Sequence, residues 1–216
     1  MSMLSSTLKD QLLLFDPDKF VETVRKLIDQ GQNPTDVVNA ITEALKEIGK
    51  KFENGEIFLV HLVVAGDAAR RATVEILEPL IKKTKEKRES LGKVVIGTVA
   101  GDIHDIGKNI VAMMLFTAGF EVIDIGKDVS AEDFVNKTNE SNADIVALSA
   151  LLTTTLPAQR DVIEALRKAG IRDKVKVLVG GAPVTAKWAA EAGADGYGED
   201  AIEAVRVAKR ILNIKE

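Results

Sequence analysis

The sequence predicts an all-α domain over residues 1–90 followed by an α/β domain over residues 91–216. The second is read as a doubly wound, Rossmann-like sheet of five parallel strands. Three observations carry this. The first eighty or so residues show apolar side chains at helical spacing alone. The later runs "KVVIGTV", "EVIDI", "ADIVALS" and "KVLVG" are short and β-branched, and each precedes a helical segment, which implies parallel strands joined by right-handed crossovers. Between the two regions, "KKTKEKRESLGK" at 82–93 is polar and highly charged and reads as a linker.

Taken in order, the first helix is short, capped by Ser5 or Ser6, and carries Leu8, Leu12 and Leu13. The second has Asp16 as N-cap and Pro17 at its first position, with Phe20, Val21, Val24, Leu27 and Ile28 on one face. The third repeats the start as Asn33-Pro34 and carries Val37, Val38, Ile41, Leu45 and Ile48. The fourth runs from about Glu56 to Lys83. Its "AGDAA" allows close helix approach, and Pro79 should kink it or end it early. Four amphipathic helices with short loops make a small four-helix bundle. In the α/β part, helices should start near Lys108, Ala131, Leu156, Thr185 and Asp200, and "ADGYG" is a weak fifth strand.

Composition narrows the functions. The 216 residues are 46% hydrophobic and 29% charged, as in globular proteins. A net charge of −4 and few basic blocks argue against duplex nucleic acid, and 4% aromatics argue against a base-stacking surface. With no cysteine there are no disulfides, thiolate metal sites or cysteine nucleophiles, which fits a cytoplasmic protein. No membrane span or secretory leader is expected from the apolar runs.

Polar and small residues gather where the strands end, the face on which doubly wound sheets bind ligands. After the first strand come Asp102, His104, Asp105 and Gly107; after the third, Ser149, Leu151, Thr153, Thr154 and Thr155; after the fourth, Gly180 and Gly181. In a flavodoxin-like order, 2-1-3-4-5, all three groups face one crevice. His104 alone reads as a solvated loop histidine. Asp102 two residues earlier changes the weighting, because a carboxylate that accepts the imidazole N–H fixes the tautomer and makes the other nitrogen a better metal ligand. A zinc site built by protein alone would need three or four ligands, and no second histidine lies near. One histidine suffices if the metal arrives inside a macrocycle. "SALLTTTL" also has a plain reading, with Thr154 or Thr155 capping the next helix. The glycine pair could be a simple turn or a place for a bulky ligand to approach the backbone. His61 reads as a partly exposed helix residue.

Asp102-x-His104-x-x-Gly107, Ser149-x-Leu151 and Gly180-Gly181, in this order, resemble the cobalamin-binding signature of methionine synthase, of corrinoid methyltransferase proteins and of B12-dependent mutases. "KFENGEIFLVHLVVAGDAA" is similar to the helical cap of the methyltransferase members. "GDIHDIGKNIV", "LRKAGIRDKVKVLVGGAPVTAKWA" and "GADGYGEDA" look closest to the corrinoid proteins of methylamine methyltransferase systems.

The resemblance implies that His104 is the lower axial cobalt ligand, displacing the cofactor's own base, with Asp102 as its partner. It places the cobamide tail past Gly107, Ser149, Leu151, Thr153, Gly180 and Gly181. It sets Phe52 and Leu59 over the methyl group, with Leu62 one turn on. Val60 stands where the family usually has proline, and Thr155 where methionine synthase has serine. The function implied is a methyl carrier, not itself an enzyme, between a methyl-donor methyltransferase and an acceptor methyltransferase using coenzyme M or a tetrahydropterin, with a reductive activation protein as a third partner. A cobalamin-sensing regulator would need an output domain, for which this chain leaves no room. A mutase would need a catalytic barrel, and a cofactor-free domain would show no cobalamin spectrum.

Overall fold

Asp16 and Pro17 fix where a helix begins: the Asp16 carboxylate accepts the Lys19 N–H at 3.1 Å, and proline needs no donor there. Asn33 and Pro34 do the same one helix later, with the Asn33 side chain accepting from Thr35 and Asp36. The structure, a computed structural model, describes residues 3–84 and 90–214. These fall into two compact units, one of residues 3–84 with 117–119 and the other of 90–116 with 120–214. Of the charged linker reading over 82–93, residues 85–89 lie outside the described residues.

The first unit holds α1 (Met3–Leu12), α2 (Pro17–Asp29), α3 (Pro34–Glu53), α4 (Leu59–Ala72) and α5 (Glu78–Thr84). Leu8, Leu12, Phe20, Val24, Ile41 and Ile48 form its core. The expected serine cap of α1 is corrected. The helix is already formed at Met3, and Ser5 shares a face with Leu8 and Leu12, which carries it to the buried side. The break expected near Pro79 takes a specific form. α4 runs into a π-helical turn, Thr73–Leu77, in which the Glu78 N–H donates to the Thr73 carbonyl five residues back. The wider turn accommodates a proline ring that would otherwise meet the carbonyl four residues before it, so the chain continues into α5 rather than stopping.

The second unit is a five-stranded sheet in the order β2-β1-β3-β4-β5, every pairing parallel. The strands are β1 (Lys93–Thr98), β2 (Glu121–Asp124), β3 (Ile145–Ser149), β4 (Lys176–Gly180) and β5 (Gly196–Gly198). The helices α6 (Ile106–Ala118), α7 (Ala131–Ser141), α8 (Leu156–Lys168), α9 (Ala186–Ala192) and α10 (Ala201–Ile211) make the crossovers and close the chain. Central strands covered on both faces explain the unbroken apolar runs of β1, β3 and β4. The register places Thr98 beside Ser149, Ser149 beside Gly180, and Gly180 beside Gly198. The carboxyl ends therefore finish in one row. Among the described residues, no helix is long and apolar enough to cross a membrane.

Candidate functional site

The chain leaves β1 at Thr98 and enters α6 at Ile106, and the connection is built around one carboxylate. Asp102 is fully buried. Its Oδ1 accepts the His104 backbone N–H at 3.0 Å and lies 2.7 Å from His104 Nδ1. Its Oδ2 accepts the Leu151 N–H at 2.7 Å, the Leu152 N–H at 3.3 Å and the Thr155 hydroxyl at 2.8 Å. Burial opposes the charged form, but the hydrogen bonds outweigh it. Those from the His104 and Leu151 backbones come first, then the imidazole and Thr155, and together they hold the Asp102 carboxyl well below the usual carboxylate range.

An ionised carboxylate can only accept, so His104 carries a proton on Nδ1, and in the neutral ring it is Nε2 that holds the lone pair. Among the described residues Nε2 has no hydrogen-bond partner, and the His104 side chain is 47% exposed. Exposed apolar residues, Ile103, Leu151 and Leu152, belong to the same two loops, and exposed Ile106 opens α6. Asp105 points its charge elsewhere, pairing with Lys127 at 3.5 Å.

Thr155 stands at the N-cap of α8, yet its side chain does not cap that helix. It turns to Asp102 instead, which corrects the capping expectation: satisfying a buried charge outweighs one exposed helix N–H. Ser149 is half-buried and Thr153 exposed, and neither side chain hydrogen-bonds to a described residue. Gly181 sits at φ +130°, and a Cβ there would lie 1.8 Å from the Ala150 carbonyl oxygen. Gly107 is the opposite case. Its backbone is ordinary, and a Cβ would meet nothing within 4 Å. The protein's own packing gives no reason for glycine there.

The helical unit has its own arrangement. Phe52 is half-buried at the end of α3, and Leu59 is exposed at the start of α4. Leu62 is 0% exposed and fills the helical core, so it offers no surface, contrary to its expected place beside a cofactor. Phe58, Val60 and Val63 are exposed beside Leu59. His61 is half-buried as expected; its Nδ1 accepts the Phe58 N–H at 3.1 Å, and its ring stacks on Phe15.

Two B12 binding domain families match the chain, one over residues 92–206 and one over 4–78. The chain is 46% identical over 205 residues to trimethylamine corrinoid protein 2 of Methanosarcina acetivorans, 94% of either chain. The chain belongs to the family of B12-binding corrinoid proteins. A dimethylamine corrinoid protein of Methanosarcina mazei is 53% identical over 168 residues, 78% of this chain and 99% of that protein. Among solved structures, a chain of the methanol:cobalamin methyltransferase complex of Methanosarcina barkeri matches 98% of this corrinoid protein and 80% of its own length, with TM-score 0.85 and 28% identity. The monomethylamine corrinoid protein of the same organism matches 95% and 96%, with TM-score 0.53 and 34% identity.

The residues of this corrinoid protein fit the cofactor. A half-exposed imidazole is locked in one tautomer, apolar side chains are exposed around it, and a glycine faces open space. Among the described residues no cluster of three or more His, Cys, Asp or Glu is placed to hold a bare metal ion.

Sequence reasoning missed three supports. Gln159 is fully buried; its Nε2 donates to the Leu148 and Gly180 carbonyls at 3.0 and 3.1 Å, and its Oε1 accepts the Trp188 indole N–H. It ties the ends of β3 and β4 together, and its helical spacing with Val162, Ile163 and Leu166 is a readable signal. Lys108 is buried against Asp124, and Thr98 donates its hydroxyl to the His104 carbonyl at 2.9 Å.

Asp102→Asn should weaken cobalamin binding by ~10–100-fold, the usual scale for losing a partner behind a metal ligand. An amide cannot accept on both sides from His104, Leu151 and Thr155. Titrating apoprotein with cobalamin and following the absorbance measures this, and an unchanged affinity would show that the carboxylate is not needed.

Proposed function

We propose that this protein carries a methyl group between a methylamine methyltransferase and an acceptor methyltransferase using coenzyme M or a tetrahydropterin, without turning over a substrate by itself. One observation carries the reading: His104 is held through Nδ1 by a buried, fully hydrogen-bonded Asp102 and leaves Nε2 unpartnered. The bound corrinoid supplies the cobalt on which a methyl group is taken up and given away. His104 is the residue that would ligate it. Asp102 holds the Nδ1 proton of the imidazole and keeps the ring aimed, and the Thr155 hydroxyl donates to Asp102 behind it. Gly107, Ser149, Leu151, Thr153, Gly180 and Gly181 are the residues we assign to the cobamide tail. Phe52 and Leu59 are carried as cofactor contacts on the resemblance. We set the domain boundary near residue 90, consistent with family matches ending at 78 and resuming at 92. A reductive activator and a cytoplasmic setting complete the proposal.

The donor class rests on the relatives named for trimethylamine and dimethylamine. With the cobalamin-loaded protein reduced anaerobically and mixed with each donor enzyme and its substrate, absorbance should report rapid methylation with a methylamine-specific enzyme and little with a methanol-specific one. The reverse result would overturn the donor class. No methylation from any donor would overturn the carrier role.

A further inference from the structure

Four non-glycine residues among those described hold φ in the left-handed region: Phe15, Asp128, Asn142 and Asn213. Phe15, Asn142 and Asn213 follow the ends of α1, α7 and α10, where that conformation commonly closes a helix. Asp128 has no helix to close. It stands at φ 54° in the connection between β2 and α7. Glycine would adopt this backbone without the steric cost a side chain brings, so the side chain calls for a separate reason.

Its contacts supply one. Asp128 Oδ1 accepts the Gly101 N–H at 2.7 Å, and the Asp128 N–H donates to the Asp102 carbonyl at 2.9 Å. The two bonds bracket the Gly101–Asp102 segment, whose first residue is itself left-handed at φ 80°. On the far side of the segment, Thr98 holds the His104 carbonyl. Asp102 fixes the imidazole relative to its own carboxylate, but nothing in that pairing fixes the backbone carrying both. Asp128 does, from a neighbouring loop anchored to β1 by hydrogen bonds from Thr98 N–H to the Gly126 carbonyl and from Ile125 N–H to the Ile96 carbonyl.

We propose that Asp128 is a positioning residue for His104: it clamps the chain that bears Asp102 and His104, and so sets how completely Nε2 is presented to the cofactor's metal. The inference rests on the reading of His104 as the cobalt ligand. Without the Oδ1 acceptor, Gly101 can turn and the segment can swing, drawing Asp102 from Leu151 and Thr155 and withdrawing the imidazole.

Asp128→Gly is the informative variant, since glycine keeps the left-handed backbone and removes the acceptor. Asp128→Asn keeps both the acceptor oxygen and the backbone and should behave as wild type. The full chain is labelled with nitrogen-15 histidine, loaded with cob(II)alamin and examined by electron paramagnetic resonance, giving the ratio of histidine-bound to histidine-free cobalt. Amide hydrogen exchange over residues 101–104 is followed in the cofactor-free protein. For Asp128→Gly the ratio should fall roughly 3–10-fold and exchange should rise by a similar factor, the scale of one hydrogen bond. The melting temperature should not fall, because the strain is relieved. Unchanged exchange overturns the clamp, and faster exchange with an unchanged ratio overturns its role toward His104. A wild-type spectrum without a histidine nitrogen shows instead that the ligand reading is wrong, and the proposal falls with it. A melting temperature that drops in step with the ratio would make Asp128 a general stabiliser and also overturn the proposal.

Discussion

Replacing His104 by alanine should abolish the histidine nitrogen signal from the cobalt while cobalamin is still retained. In the wild-type protein loaded with cob(II)alamin, nitrogen-15 labelling of histidine should change the nitrogen splitting of the spectrum. In His104→Ala it should change nothing, and the spectrum should be that of cobalt carrying the cofactor's own base or water. The labelling is decisive because the chain has two histidines. His61 lies in the helical unit with its Nδ1 already accepting from Phe58, so His61→Gln should leave the spectrum as it is. Retention is expected because the residues assigned to the tail come from the ends of β3 and β4, the turns after them and the start of α6, not from the imidazole. A wild-type splitting insensitive to the label would mean that the cofactor's own base stays bound, and the assignment of His104 would be abandoned.

The supports of His104 were less legible in the sequence than His104 itself, for a physical reason. The strands announce themselves: a strand buried on both faces must be apolar along its length, so β1, β3 and β4 stand out, and their alternation with helices implies the parallel sheet. Asp102 and His104 are two residues apart, and their pairing is a local matter. Thr155 reaches Asp102 across 53 positions, and Gly101 reaches Asp128 across 27. No local pattern records such bonds, so the sequence offers Thr154 or Thr155 as a helix cap, a role the Thr155 side chain does not take up. Leu62 shows the converse limit. Helical spacing says that a residue shares a face with its neighbours, but it does not say whether that face is core or cleft. The fully buried Leu62 is core, while Phe58 and Val60 beside it are exposed. Pro79 is expected to kink or end its helix, and the π turn before it is the milder of the two outcomes, because helix hydrogen bonding continues through it.

Gly181→Ala and Gly107→Ala should separate the fold from the cofactor. At Gly181 the added methyl would sit 1.8 Å from the Ala150 carbonyl oxygen, at a φ of +130° that alanine rarely adopts. The obstacle is backbone, so no rotamer change relieves it. The Ala150 peptide is held in turn, since its N–H donates to the Gly180 carbonyl at 3.1 Å. Relief requires prising apart the ends of β3 and β4, where Gln159 also binds the Leu148 and Gly180 carbonyls. Backbone strain and overpacking together should cost roughly 2–6 kcal/mol. The melting temperature should then fall by roughly 5–20 °C for a chain of this size. Cobalamin affinity should fall with it. At Gly107 the same methyl meets no protein atom within 4 Å and stands in the first turn of α6, where alanine favours the helix. The melting temperature of Gly107→Ala should therefore hold or rise slightly, while cobalamin affinity drops if the tail passes that position. Differential scanning calorimetry of the apoproteins, paired with absorbance titrations, gives both quantities. A Gly107→Ala protein of full stability that binds cobalamin as tightly as wild type would place the tail elsewhere. A Gly181→Ala protein of unchanged stability would mean that the two strand ends are far less rigidly joined than Gln159 and the Ala150–Gly180 bond imply.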